Sequence, residues 1–165
     1  MPDVREMTIE QQINMRRNCA RVIAEDTCTE QKRRIGQQRI DEVNAYWEEL
    51  VRHAENLQMQ IHMLPVVGMM TTMHYHVGHH GAPEKVRRKI LREIIEQPLP
   101  FVHTPMYMSE WGTPNSPDRF YKVCNFLRGQ INNPPGNVNN FELAITHWQH
   151  DLEYVENTWG HLANV

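Results

Sequence analysis

Residues 141–165 read FELAITHWQHDLEYVENTWGHLANV, and the spacing of their apolar positions decides the fold. Phe141, Ile145, Trp148, Leu152, Val155, Trp159 and Leu162 recur at alternating intervals of four and three residues. Residues so spaced share one side of an α-helix, and such a stripe is buried by packing against another helix. A matching stripe lies toward the other end of the chain: Ile40, Val43, Trp47, Leu50, Ala54, Leu57 and Ile61. No segment alternates with the period of two that a half-buried strand requires. The sequence therefore predicts an all-α protein of about five helices.

The punctuation between stripes places those helices. Thr8-Ile9-Glu10-Gln11 has the form of a capping box, and a helix follows to about Ala24 with Ile9, Ile13, Ala20 and Ile23 inward. Thr27-Cys28-Thr29-Glu30 is a second such box, opening a long helix from about Cys28 to His62. Gly36 weakens that helix by about 1 kcal/mol relative to Ala. These two helices form an N-terminal hairpin over residues 1–64. Residues 65–115 form a long irregular middle rich in Pro, Met and His. It carries one helix after Pro83, with Val86, Ile90, Leu91 and Ile94 inward. Ser116-Pro117 caps the next helix, with Phe120, Val123, Cys124 and Leu127 inward and Gly129 as its terminator. Residues 116–165 are then a helix pair. The 165 residues are enough for one domain with a sizeable core.

Composition narrows the function. A net charge of −3 gives no general attraction to nucleic acid or to anionic membrane, so any polyanion site is local. No run approaches the ~18 apolar residues of a membrane span. The N-terminal residues lack the apolar core of a signal peptide, which points to a virion or host cytoplasm. Three cysteines, Cys19, Cys28 and Cys124, make no metal-binding Cys-x-x-Cys pair. A Cys19–Cys28 bridge is geometrically open, but reduced thiols are expected.

Chemistry-bearing motifs are few. There are two serines, Ser109 and Ser116, and no nucleophile elbow or phosphate loop, so the chain is not read as an enzyme and no cofactor is expected. His74, His76, His79 and His80 fall within seven residues. They are read as structural or interfacial, with metal binding in a helical bundle as the alternative. On the last helix, His147, His150 and Glu153 give a single reversed His-x-x-Glu pattern without a counterpart on another helix, so no metal centre is expected there.

The basic residues form two groups. Arg16, Arg17, Arg21, Lys32, Arg33, Arg34 and Arg39 lie around the hairpin, and Lys85, Arg87, Arg88, Lys89 and Arg92 lie on the middle helix, where all but Arg87 share one face. Arginine predominates, which suits forked contacts to phosphate. In element order the chain resembles the all-α major coat proteins of filamentous DNA viruses of archaea. That resemblance implies a subunit that dimerises, wraps double-stranded DNA with basic helices and packs neighbours through helical bundles. Retroelement capsid domains and viral nucleoproteins share the helical character.

The expectation is a self-assembling structural protein of viral coat or nucleocapsid type, forming homo- or hetero-oligomers of related subunits. Assembly would run through Trp47, Phe141, Trp148, Leu152, Val155, Trp159 and Leu162, and DNA contact through the two arginine groups. A helical adaptor without nucleic acid is a further alternative.

Overall fold

A computed structural model describes residues 2–25, 27–56, 68–102, 104–134 and 141–164. Among these residues every regular element is helical. The seven α-helices are α1 (Ile9–Ile23), α2 (Glu30–Asn56), α3 (Met69–Thr72), α4 (Glu84–Glu96), α5 (Pro105–Ser109), α6 (Pro117–Asn132) and α7 (Glu142–Trp159), with short 3₁₀ turns at Val4–Glu6 and Gly160–Asn164. No described helix is long and apolar enough to cross a membrane. Cys19, Cys28 and Cys124 are free thiols.

The single domain expected from length divides into two compact units, one of Met1–His62 with Leu99–Pro105 and one of Met63–Pro98 with Met106–Val165. The physical reason is that each of the two apolar stripes is covered locally, the first by α1 and the second by α4 and α6.

In the first unit the Thr8 capping box forms as expected: Thr8 Oγ1 accepts from Gln11 N at 3.2 Å, and Gln11 Oε1 accepts from Thr8 N at 2.8 Å. The cap of α2 shifts by two residues. Thr29, not Thr27, supplies the hydroxyl, accepting from Lys32 N at 3.3 Å, so α2 begins at Glu30. The part of this helix expected beyond Asn56 lies outside the described residues, as do the side chains of Ala54, Leu57 and Ile61.

Gly36 has a packing role. A Cβ there would stand 3.1 Å from both Cγ1 and Cδ1 of Ile23, so the absent side chain lets α1 approach α2 closely. Val43 and Trp47 are buried as the stripe requires, beside Ile13. Ile9, expected inward, is exposed, and the buried face of α1 carries Gln12 and Arg16 instead. Both are satisfied. Trp47 Nε1 donates to Gln12 Oε1 at 2.6 Å, while Gln12 Nε2 donates to Val4 O at 2.8 Å and Met7 O at 3.1 Å.

In the second unit Ser116 Oγ accepts from Arg119 N at 3.3 Å and Pro117 occupies the first turn of α6, as expected. Gly129 does not terminate α6. The helix continues to Asn132, and the Asn133 N–H closes it on Gly129 O at 2.9 Å. Gly112 does meet a glycine requirement: its φ is +64°, and a Cβ would fall 2.7 Å from Ser116 Oγ.

Arg119 joins these parts. Its guanidinium is buried and donates to Trp111 O at 2.8 Å, Gly112 O at 2.7 Å, Ile94 O at 2.5 Å and Gln97 O at 3.0 Å. Two of these carbonyls lie at the C-terminal end of α4, where helix carbonyls lack intrahelical donors and the helix dipole favours a cation. Burial lowers the Arg119 pKa to about 10, so it remains charged at neutral pH.

Replacing Arg119 by Met should destabilise the protein by about 3 kcal/mol or more, because it strands buried carbonyl acceptors that each cost about 1–3 kcal/mol when unsatisfied. Arg119→Lys should recover little, since one ammonium has three donors and no fork. Urea unfolding of the two variants checks this, and near-wild-type midpoints would contradict it.

Candidate functional site

The buried face of α7 runs through Ala144, Trp148, Asp151, Val155 and Trp159. Leu152, expected inward, is half-buried, and its neighbour Asp151 is fully buried. The same one-residue rotation occurs on α4, where Val86 is 46% exposed and Arg87 is 2% exposed. The two rotations have one cause. Arg87 Nε donates to Asp151 Oδ2 at 2.7 Å, and Arg87 Nη2 donates to Oδ1 at 3.3 Å. The remaining Arg87 nitrogen, Nη1, reaches Ala82 O at 2.9 Å, and the Tyr75 hydroxyl donates to Asp151 Oδ2 at 2.7 Å. Burial, together with the carboxylate, pushes the Tyr75 phenol far above its ordinary range.

This arrangement governs the histidine segment. His74 is left-handed (φ 61°) immediately beyond the C-cap of α3. The His74 N–H reaches Thr71 O at 2.9 Å, and the Tyr75 N–H reaches Met70 O at 2.9 Å. That is a helix-terminating Schellman turn, with histidine where glycine is usual. His76, His79 and His80 are exposed, and the His74 and His76 ring centroids are 6.5 Å apart. Among the described residues no three His, Cys, Asp or Glu side chains converge as a metal site would require. The segment is latched to α7 at Gly78, whose N–H donates to His147 Nδ1 at 3.2 Å.

The aromatic and aliphatic residues expected at an assembly surface are mostly spent inside the units. Trp47, Trp148, Val155, Trp159 and Leu162 are buried, while Phe141 and Leu152 are half-buried. Phe141 stacks on Trp148 with centroids 6.5 Å apart, and Trp159 Nε1 donates to Glu96 Oε1 at 3.1 Å. The buried members of the set are thus core residues of this fold, because the chain's own helices already cover them.

The basic residues of the first unit are divided. Arg16 is 4% exposed, stacks over the Trp47 ring at 4.5 Å and donates to Asn44 Oδ1 at 3.1 Å, so it belongs to the core. Arg17 is half-buried. Arg21 pairs with Glu25 at 3.1 Å, while Arg39 pairs with Glu42 and donates to Pro2 O at 2.7 Å. Lys32, Arg33 and Arg34 remain as an exposed group on the first turns of α2.

The second unit keeps its set together. Lys85, Arg88, Lys89 and Arg92 line one groove of about 710 Å³ with Glu84 and Tyr154. An adjoining groove of about 500 Å³ adds His150, Glu153 and Asn157 on α7. Arg88 pairs with Glu84 at 2.5 Å, and its guanidinium lies 4.7 Å over the Tyr154 ring. Arg92 Nη2 donates to the Tyr154 hydroxyl at 3.4 Å. Lys85 and Lys89 are exposed and have no carboxylate within ion-pairing distance among the described residues. Four cations thus face two carboxylates, those of Glu84 and Glu153, across the paired grooves.

Sequence spacing identifies this face and counts Arg87 among the basic residues of its helix, but it does not reveal the buried pairing of Arg87 with Asp151 or the place of Tyr154. A signal for the first two residues was present. Arg87 continues the Leu91–Ile94 stripe one turn earlier, and Asp151 falls between Trp148 and Val155. Tyr154 is brought to α4 only by tertiary packing, which local spacing does not encode.

No protein-family model, no curated protein and no solved structure matches the chain.

The His147 latch gives stability a pH dependence. Its imidazole pKa is lowered, first by burial and then by Arg87, with His150 adding to the effect and Asp151 and Glu84 opposing it. The unfolded chain therefore binds the proton more readily than the folded chain. Stability from this group is present above the ordinary imidazole value of about 6.5 and is lost as pH falls through the lower folded value. The melting temperature should decline as pH falls below about 6.5. His147→Gln, which can accept the Gly78 N–H without titrating, should show a shallower decline than wild type. Equal slopes in calorimetry would refute the latch.

Proposed function

We propose that the chain is a structural nucleic-acid-binding subunit that lays the α4 face along the phosphate backbone of double-stranded DNA. The observation that carries this reading is the groove of Lys85, Arg88, Lys89 and Arg92, in which both lysines lack a carboxylate partner among the described residues. Side chains at these spacings form one ridge about 10 Å long, enough to touch adjacent phosphates. Arginine and lysine at a backbone contact fix position without reading bases.

Duplex is favoured over single strand for a steric reason. Single-strand sites stack bases on aromatic faces. Tyr154 is the aromatic residue of this groove, with Arg88 over its ring and Trp159 packed edge-on at 5.5 Å. Lys32, Arg33 and Arg34 of the first unit supply a second contact of the same kind. The acidic balance of the chain suits a protein that holds DNA through local faces instead of a general field. A coat or nucleocapsid-type subunit fits this reading, with self-association through surfaces other than the buried tryptophans.

Binding to duplex DNA should be independent of sequence and weaken with salt, each phosphate contact contributing about −0.9 to the slope of log K against log salt. Four contacts at α4 give a slope of roughly −3 to −4. Lys85→Gln with Lys89→Gln should flatten it by about two units while leaving the fold unchanged. Fluorescence anisotropy at low salt decides the matter: no binding at ~100 µM protein, the weak end of typical non-specific affinity, rejects the proposal.

A further inference from the structure

Three side chains meet at Tyr154, and together they define more than a charged surface. The Arg88 guanidinium lies over its ring at 4.7 Å, Arg92 Nη2 reaches its hydroxyl at 3.4 Å, and Trp159 packs edge-on at 5.5 Å. Trp159 is itself buried and tied to Glu96, so the phenol ring has a rigid backing. Arg88 is further held by Glu84 one turn earlier. Among the described residues, Lys85 and Lys89 have no ion pair or ring contact of this kind.

We infer that Tyr154 is the positioning residue of the α4 groove, holding Arg88 and Arg92 as two pre-set forks for consecutive phosphates of one strand. The inference rests on the polyanion reading of this face and adds which residues within it carry shape, as distinct from charge. Arg88 and Arg92 are one helical turn apart, about 6 Å along the axis. A free arginine loses rotamer freedom when it is ordered against a phosphate. Held in advance, it loses less on binding, which is the basis of preorganised affinity. Arginine at these two positions, with lysine at the two unsupported ones, matches that division. A guanidinium can use a fixed orientation, whereas an ammonium acts as a point charge.

The test is a double-mutant cycle on the full chain, read by anisotropy with a duplex oligonucleotide. Tyr154→Phe keeps the ring under Arg88 and the packing on Trp159 while removing the hydroxyl that Arg92 reaches. Arg92→Lys keeps the charge while removing the fork. Each alone should weaken binding about threefold, and together still about threefold instead of about ninefold, a coupling expected within one network. Tyr154→Phe with Arg88→Lys should instead multiply, because the ring that supports Arg88 is still present. The salt slope should stay at the wild-type value in every variant, since no charge is removed. Multiplicative losses in the Arg92 pair, or a changed slope, overturn the role of Tyr154. Failure of the wild-type chain to bind duplex overturns the reading beneath it, so the two failures are distinct.

Discussion

A carboxylate with no exposed surface must be answered by a cation and by enough donors to occupy its oxygens. Asp151 receives both from Arg87 and Tyr75. Much of the second unit follows from that requirement. It turns α7 so that Asp151, not Leu152, faces inward, and turns α4 so that Arg87 displaces Val86. It thereby sets which face of α4 is left to solvent, and that face carries Lys85, Lys89 and Arg92. The exposed chemistry is, in this sense, the reverse side of the buried pair.

Polar anchors inside the core recur in both units. Gln12 connects Trp47 to the backbone of the N-terminal turn, Arg16 lies on the Trp47 ring, and Arg119 gathers four carbonyls from α4 and the turn before α6. Apolar contacts tolerate small sliding between helices, whereas a forked hydrogen-bonded contact has one satisfying geometry. Removing one partner strands the others, which is why such residues act as registers more than as sources of net stability.

The helices were largely legible in the sequence because apolar period, caps and prolines are local signals. The Thr8 box and the Ser116-Pro117 start formed where they were read, and Val43, Trp47, Trp148, Val155 and Trp159 are buried as their spacing implied. What escaped was the exact face. Hydrophobic spacing places Ile9 and Val86 inward, and a buried charge is invisible to that pattern until its partner is known. Gly36 read as a weak point when only propensity was considered, but packing against Ile23 gives it a purpose. The basic face of α4 was visible as an i, i+3, i+4, i+7 pattern. Its tyrosine was not, because Tyr154 lies 62 residues beyond Arg92 in the chain.

Arg119 has a consequence of a different kind. Its guanidinium is satisfied by dipoles alone, whereas Arg87 is neutralised by Asp151. Among the described residues, the interior of the second unit therefore keeps one charge, that of Arg119, without a buried counter-charge. Mobile counterions cannot approach a sealed group closely, and its field is screened less than that of a surface side chain. Acidic substitutions on the surrounding surface could mask that background but not remove it. Part of this unit's electrostatic character is thus a fixed property of the fold, held apart from the exposed residues that evolution can most easily exchange.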